Sequence, residues 1–290
     1  GSYKVSSGLH GVGSSVVNAL ASWCRVIVKR NGETVMQEYQ NGGKPLALVG
    51  KIDPKNPASK LKTAEWLIDI PSWNYPTATI VQFSPDATIF ETTNFVFKYF
   101  LTQIREYAYL TAGIKFELID HRSDESYTYY FEGGIRTFLD NLNSNKKVVH
   151  QKPFYVKKEN DGVLVEVAFQ YNDSFNENVL CFANHVKNPE GGTHLTGFRS
   201  ALTKTINDYA RKKGYLKDGD ENLTGEDTKE GLSAIVSVKL DSSILQFEGQ
   251  TKAKLGNTNV RQAVETVLKE SLDLFFEENP REAQAMVEKN

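Results

Sequence analysis

Two short stretches near opposite ends of this 290-residue sequence carry residue types suited to phosphate chemistry. The first is Gly8-Leu9-His10-Gly11-Val12-Gly13, followed by Ser14-Ser15 and an apolar run, Val16-Val17-Asn18-Ala19-Leu20. Three glycines in six residues let the backbone turn tightly and approach a ligand closely, because no Cβ intervenes. The run behind them reads as the opening of a helix, and amide N–H groups at a helix N-terminus beside a glycine loop favour a phosphate. The second stretch is Gln250-Thr251-Lys252, bounded by Gly249 and Gly256. An ammonium on a flexible stem, beside a side-chain amide, suits a terminal phosphate by acting as a point charge on its oxygens. Each stretch also has a plainer reading. Glycine turns before helices are common, and a lone Gln-Thr-Lys is more often an exposed basic turn.

Several other chemistries are excluded. The sequence contains no G-x-x-x-x-G-K-[ST] loop and no G-x-S-x-G nucleophile elbow. The five histidines, His10, His121, His150, His185 and His194, never fall at metal-ligand spacing with one another or with a cysteine. The glycine loop reads G-x-x-G-x-G, not the G-x-G-x-x-G of a dinucleotide fold.

The elements that must position these stretches follow from pattern. Arg25–Arg30 and Glu33–Tyr39 flank Asn31-Gly32, the strongest short-range hairpin signal. Residues 50–75 read as a surface insertion with one short strand at Trp66–Ile70. Thr77–Phe83 is a strand, and apolar spacing from Thr93 to Leu110 predicts a helix laid on a sheet. Ile114–Ile119 and Tyr127–Phe131 form a second hairpin, giving an α+β sandwich with helices on one face of a mostly antiparallel sheet. Gly133-Gly134 marks a boundary. Beyond it come a short helix (Ile135–Leu142), strands at Phe154–Val156, Val163–Tyr171 and Val179–Ala183, and a long helix from about Leu195 to Lys213. A polar loop with a helical turn (214–230), a buried strand (Leu232–Leu240), a loop (Phe247–Gly256) and a final helix (Val260–Phe276) complete the chain.

Composition sets the class. Apolar residues make up 40% and charged residues 24%, as in ordinary soluble domains. No apolar run approaches the length of a membrane span, so no membrane partner is expected. The two cysteines, Cys24 and Cys181, sit in apolar contexts and read as free buried thiols, in keeping with a reducing cytoplasm. A net charge of −2 gives the whole chain no footprint for nucleic acid, so DNA contact requires a local basic patch.

Taken together, the motifs resemble a known family. Tyr3-Lys4-Val5-Ser6 leading into Gly8–Gly13 is similar to the ATP lid of the GHKL ATPases, in the form found in bacterial type II topoisomerases. Arg25 to Phe83, Glu132-Gly133-Gly134-Ile135, Tyr171-Asn172-Asp173, Gly191-Gly192-Thr193-His194 with Gly197-Phe198-Arg199, Glu230-Gly231-Leu232 and Phe247–Lys252 match the family in order. The resemblance covers nearly the whole chain apart from the insertion. It implies the C-terminal part of a GHKL (Bergerat) ATP-binding sandwich over residues 1–131, then a ribosomal-S5-domain-2-like α/β transducer over 132–290. The motifs GGTHLTGFR and EGGIRTFLDNLN look more like those of gyrase B than of its topoisomerase IV counterpart.

The resemblance also implies roles. Tyr3 would hydrogen-bond adenine, and the backbone of Gly8, Leu9, His10, Gly11, Val12 and Gly13 would wrap the triphosphate of ATP bound with Mg²⁺. Ser14 follows in the same loop, and Ser15 and Thr79 match positions near the nucleotide. Gln250 and Lys252 would reach the γ-phosphate from the transducer. Arg199 matches a position facing the DNA-holding cavity, on a helix that also carries Lys204, Arg211 and Lys212, although a merely solvated face fits these four equally. The implied partners are duplex DNA, a gyrase A-type subunit in an A2B2 assembly, and a second copy of the ATPase region.

Departures from the pattern are informative. Ser7-Gly8 replaces the family's double glycine, and Thr77-Ala78-Thr79 replaces Thr-Gly-Thr. The E-x-x-x-N helix that supplies the family's general base, and the D-x-G-x-G that reads adenine, do not occur in a suitable place. The 290 residues are therefore expected to be part of a longer protein, to bind ATP weakly or not at all and to hydrolyse none alone. Competing expectations are a topoisomerase IV B-type subunit, a nucleotide-free structural clamp segment that contacts DNA, and another GHKL member such as a mismatch-repair or chaperone ATPase.

Overall fold

Asn31 and Gly32 both take positive φ, 53° and 77°, in the computed structural model, as a tight two-residue hairpin turn requires. The structure describes residues 8, 11–46, 48–51 and 76–290. Around that turn lie α1 (Gly13–Ala19), β1 (Ala21–Arg30), β2 (Glu33–Gln40), β3 (Lys44–Pro45), β4 (Gly50–Lys51) and β5 (Ala78–Pro85). They build a sheet in the order β3-β2-β1-β5, with β4 also paired to β2. The insertion therefore begins as sheet, with Met36 opposite Gly50. The strand expected at 66–70 lies outside the described residues.

Next come α2 (Phe97–Leu110), β6 (Phe116–Asp120), β7 (Glu125–Tyr129), α3 (Ile135–Asn143), β8 (Phe154–Asn160), β9 (Val163–Tyr171), β10 (Asn178–Ala183) and β11 (Val186–Lys187). The chain ends with α4 (Thr193–Lys212), a 3₁₀ turn at Asp227–Lys229, β12 (Leu232–Lys239), β13 (Phe247–Glu248), β14 (Lys254–Leu255), α5 (Thr258–Glu278) and α6 (Pro280–Lys289). Two sequence expectations need correction. The helix expected from Thr93 begins at Phe97: Phe95, which fits the apolar spacing, packs edge-on against Phe83 at 6.2 Å and Phe100 at 5.6 Å from the segment ahead of the helix. The helix expected to be the last is followed by α6, which Pro280 opens at its first turn, where a missing N–H costs nothing.

The described residues fall into two compact units. One is built from Gly8, Leu101–Leu118 and Tyr127–Asn290, the other from the described residues between His10 and Phe100 together with Ile119–Ser126. The larger unit is organised on a mixed sheet in the order β11-β10-β12-β9-β8. Among the described strands of this sheet the one parallel pair is β10 with β12, which are joined through α4, as a parallel pair needs a long crossover. The central strand β12 is buried at every residue but its last, hence its near-continuous apolar run.

Helices cover both faces of that sheet. Val163, Val165, Val167, Ala234 and Val236 pack with α4 and α5. Ala168, Ile235 and Phe182 pack with Phe138 and Leu139 of α3 and with Tyr109. Helix α4 can lie close to α5 because Gly197 has no side chain: a Cβ there would sit 2.6 Å from the Arg261 carbonyl oxygen. Phe198 beside it is fully buried and meets Phe169 edge-on at 6.0 Å. Phe198→Ala is expected to lower unfolding free energy by about 3–5 kcal/mol through lost burial and a residual cavity, read from the urea midpoint with the slope unchanged.

Candidate functional site: a phosphate-type lid, a lysine loop and a basic groove

In the smaller unit, Gly11 takes φ +64°, and a Cβ added there would meet nothing within 4 Å. Val12 caps α1 in right-handed conformation, and the first helical bond runs from the Val16 N–H to the Val12 oxygen at 2.8 Å. The N–H groups of Gly13, Ser14 and Ser15 precede that bond and have no acceptor within the helix. Residues 11–17 are all exposed, and so, in the larger unit, is Gly8. This loop and short helix fit what a polyphosphate needs: open space, a left-handed glycine and amide donors that the helix does not use. Thr79 lies exposed on β5, opposite Val28. Tyr3, Leu9 and His10 lie outside the described residues.

In the larger unit, Gln250, Thr251 and Lys252 sit on the turn between β13 and β14, with Gln250 and Thr251 exposed and Lys252 half-buried. Gly249 and Lys252 both take positive φ, 86° and 57°, and the Lys252 N–H closes the turn on the Gly249 oxygen at 3.4 Å. The left-handed region costs a lysine about 1 kcal/mol, so this backbone has to be held. Three hydrogen bonds hold it against residues 188–191. Asn188 Nδ2 donates to the Lys252 oxygen at 2.8 Å, the Glu190 N–H to the Ala253 oxygen at 3.0 Å, and the Leu255 N–H to the Gly191 oxygen at 3.0 Å.

Glycine is obligatory at this seam. Gly192 takes φ +132°, and a Cβ there would lie 2.3 Å from the Leu255 oxygen. One residue further on, α4 begins, and its second residue, His194, is fully buried with Nε2 3.0 Å from Asn188 Oδ1. The motif of Gly191–His194 is legible in the sequence. Its attachment to the Lys252 loop through Asn188 is not, because no short-range pattern links residues that far apart.

Helix α4 also carries the basic residues, and the structure divides them. Arg199 makes a two-pronged pair with Glu177, Nε to Oε1 at 3.1 Å and Nη2 to Oε2 at 2.6 Å. Arg199, Lys204 and Lys229 line a surface groove of about 760 Å³ together with one carboxylate, Asp208, and with Thr196, Thr203 and Asn207. Lys204 is exposed. Arg211 instead braces the following loop, donating to Asn222 Oδ1 at 2.8 Å and to the Asp220 oxygen at 2.8 Å, and Lys212 pairs with Glu277. Those two serve the unit's own packing.

Burial holds three histidines of the larger unit neutral. Desolvation pushes His194 down to about 4, and desolvation aided by the Lys239 charge takes His185 to about 4. His150 is lowered by the same cause. It contacts the Lys152 oxygen through Nδ1 at 3.0 Å and accepts the Tyr171 N–H on Nε2 at 2.9 Å, which defines the Nδ1–H tautomer. Both cysteines are free and buried, and burial raises each thiol, Cys181 to about 12. Among the described residues no cluster of histidine, cysteine or carboxylate side chains could hold a metal ion, and no helix is long and apolar enough to cross a membrane.

Comparison with known proteins bears on what these features are. The family model described as DNA gyrase B matches residues 134–290. The chain is 45% identical over 292 residues to DNA gyrase B of Clostridium acetobutylicum, covering 100% of this chain and 42% of that one. It is 43% identical over 289 residues to the B component of DNA topoisomerase 4 of Bacillus subtilis, covering 100% of this chain and 41% of the relative. Among solved structures, the 43K ATPase domain of Thermus thermophilus gyrase B, in complex with an aminocoumarin, superposes with TM-score 0.77 at 35% identity, covering 97% of this chain and 70% of that one. The fold is thus that of the ATPase region of bacterial type II topoisomerases. The chain belongs to the DNA gyrase B family, and it spans well under half the length of these two sequence relatives.

Two outcomes test the seam and the buried imidazoles. Gly192→Ala is expected to cost more than about 3 kcal/mol, since backbone has to move. Gly249→Ala, whose Cβ meets nothing within 4 Å, is expected to cost about 1 kcal/mol from φ alone. For pH, the unfolded imidazole binds a proton near 6.5 and the folded one only near 4. Stability contributed by neutral His194 is therefore full above pH 6.5 and is lost as pH falls toward 4. Urea unfolding at pH 5 should show a loss on the order of 2 kcal/mol relative to pH 7.5 from this residue, and His194→Gln should lessen the drop.

Proposed function

We propose that this chain forms the nucleotide-sensing and DNA-holding part of the ATPase region of a gyrase B-type type II DNA topoisomerase. The observation that carries the reading is a connection inside one unit. The Lys252 loop is hydrogen-bonded to the residues that lead directly into α4, the helix bearing Arg199 and Lys204. A lysine placed to read a terminal phosphate and a groove suited to duplex DNA therefore share one rigid support.

When bound, ATP with Mg²⁺ supplies the γ-phosphoryl group whose presence or loss is to be read. Within the smaller unit the amides of Gly11 to Ser15 are suited to polyphosphate oxygens; within the larger unit the exposed Gln250 amide and the Lys252 ammonium stabilise charge on a terminal phosphate. Seen from Lys252, gain or loss of that phosphate changes the load on a turn already held in left-handed conformation. The change passes through residues 188–192 to α4, and so to the groove. The partners proposed are duplex DNA, a gyrase A-type subunit in an A2B2 assembly, and a second copy closing a dimeric clamp, all cytoplasmic. A topoisomerase IV B-type role is the second reading, favoured by the identity to the Bacillus subtilis protein.

The test uses a chimera in which residues 1–290 replace the matching segment of the Clostridium acetobutylicum protein, assembled with its partner subunit. Lys252→Ala is expected to lower ATP turnover tenfold or more, with KM changed less than about threefold. Equal losses in kcat and in nucleotide affinity would mean Lys252 only binds the ground state. On duplex DNA, Lys204→Ala is expected to reduce the slope of log affinity against log salt by about 1, measured by fluorescence anisotropy. An unchanged slope would remove Lys204 from the interface.

A further inference from the structure

We infer that Asn188 and His194 are positioning residues for Lys252, the Asn188 carboxamide holding the Lys252 carbonyl and the His194 imidazole holding the carboxamide. The inference deepens the reading above and rests on Lys252 meeting a terminal phosphate. Neither residue is accessible to a ligand, at 2% and 0% exposure, so each acts through the loop it supports.

The hydrogen bonding leaves little freedom. Every polar group of Asn188 is engaged: its N–H donates to the Cys181 oxygen at 2.8 Å, its own carbonyl accepts the Gly191 N–H at 2.9 Å, and its side chain bridges Lys252 and His194. The Lys252 carbonyl can only accept, so Nδ2 faces it and Oδ1 faces the imidazole. Oδ1 can only accept in turn, which makes Nε2 the protonated nitrogen of neutral His194. A flipped carboxamide would set oxygen against oxygen and NH₂ against N–H. The imidazole thus fixes the carboxamide, and the carboxamide fixes the carbonyl of a residue at φ +57°.

Fixing that carbonyl sets where the Lys252 side chain starts. A peptide plane free to rotate would swing the Cα–Cβ direction and move a long ammonium by several ångströms, far more than charge stabilisation of a reacting phosphate tolerates. A purely architectural role, tying the 188–192 loop to β14, is already filled by the two backbone bonds from Glu190 and Leu255. The side-chain relay is additional to them and ends on the lysine itself.

Three measurements decide the matter. In the unaltered 290-residue chain, ¹⁵N chemical shifts should show His194 as the Nε2–H tautomer; the Nδ1–H form would overturn the relay without any variant. In hydrogen exchange, His194→Asn, which cannot place a donor at the ε position, is expected to raise amide exchange across residues 249–254 about tenfold, whereas His194→Gln, which can, stays within about threefold of the parent chain. Asn188→Asp, which keeps the acceptor for His194 but loses the donor to Lys252, should behave like His194→Asn. Folded variants with unchanged loop exchange would sink the proposal. In the chimera, His194→Asn and Asn188→Asp should lower kcat about tenfold with KM little changed, and His194→Gln should restore most of it. If Lys252→Ala has no effect there, the nucleotide reading fails while the exchange result still judges the positioning. If Lys252→Ala slows turnover but the two relay variants do not, the positioning role fails and the nucleotide reading stands.

Discussion

The larger unit depends on one close approach, that of Gly192 to the Leu255 backbone. Only a residue without a Cβ, at φ +132°, lets the two chains come so near. From that contact follow the parallel bridge between Gly192 and Leu255, the direction in which α4 leaves the loop, and the seating of the turn that carries Gln250 and Lys252. The contact is between main chains, so side-chain repacking cannot absorb an error in it. This explains why a pair of glycines lies immediately before a long helix that has no side-chain cap at its start. The geometric demand of the seam outweighs the modest gain of a capping serine or aspartate.

Charge is arranged locally, not globally. The chain is slightly acidic as a whole, yet α4 presents Arg199 and Lys204 to one groove. The Arg199 fork is not idle there. Glu177 already occupies it with the two-point geometry a phosphate would use. An anion arriving at this groove has to displace a carboxylate, which a polyelectrolyte rich in released counterions can do far better than a lone phosphate. Neighbouring cations one or two turns further along are committed to Asn222 and Glu277, so a row of basic residues in the sequence overstates the width of the basic surface.

Much of the fold is legible in the sequence because its signals are local. Asn31-Gly32 sets the first hairpin, the mostly apolar, β-branched segment 232–240 announces a buried strand, and the apolar spacing of 195–213 gives α4. The departures are also local. Phe95 fits the helical spacing but packs on Phe83 and Phe100 ahead of α2, which starts at Phe97, and Pro280 starts a helix beyond the one that the pattern makes the last. The site is legible only as two motifs, the glycine loop and the Gln-Thr-Lys turn. What joins the second motif to its support is a buried asparagine 64 residues away and a histidine that sequence alone leaves without a partner. Long-range hydrogen bonds leave no periodicity in a sequence, and polar residues that act by holding a backbone resemble ordinary loop residues until the fold is known.

Lys252 occupies a backbone conformation that a glycine or asparagine would accept more readily. A sequence chosen only for thermal robustness would place one of those residues here and gain from it. Directed evolution toward heat tolerance, or a consensus method weighted to local backbone preference, would therefore drift toward erasing the ammonium while every measure of folding improved. If Lys252 reads a terminal phosphate as proposed, position 252 is a place where engineering for durability and engineering for activity pull in opposite directions. Any stabilised version of this chain would need that residue held fixed by intent.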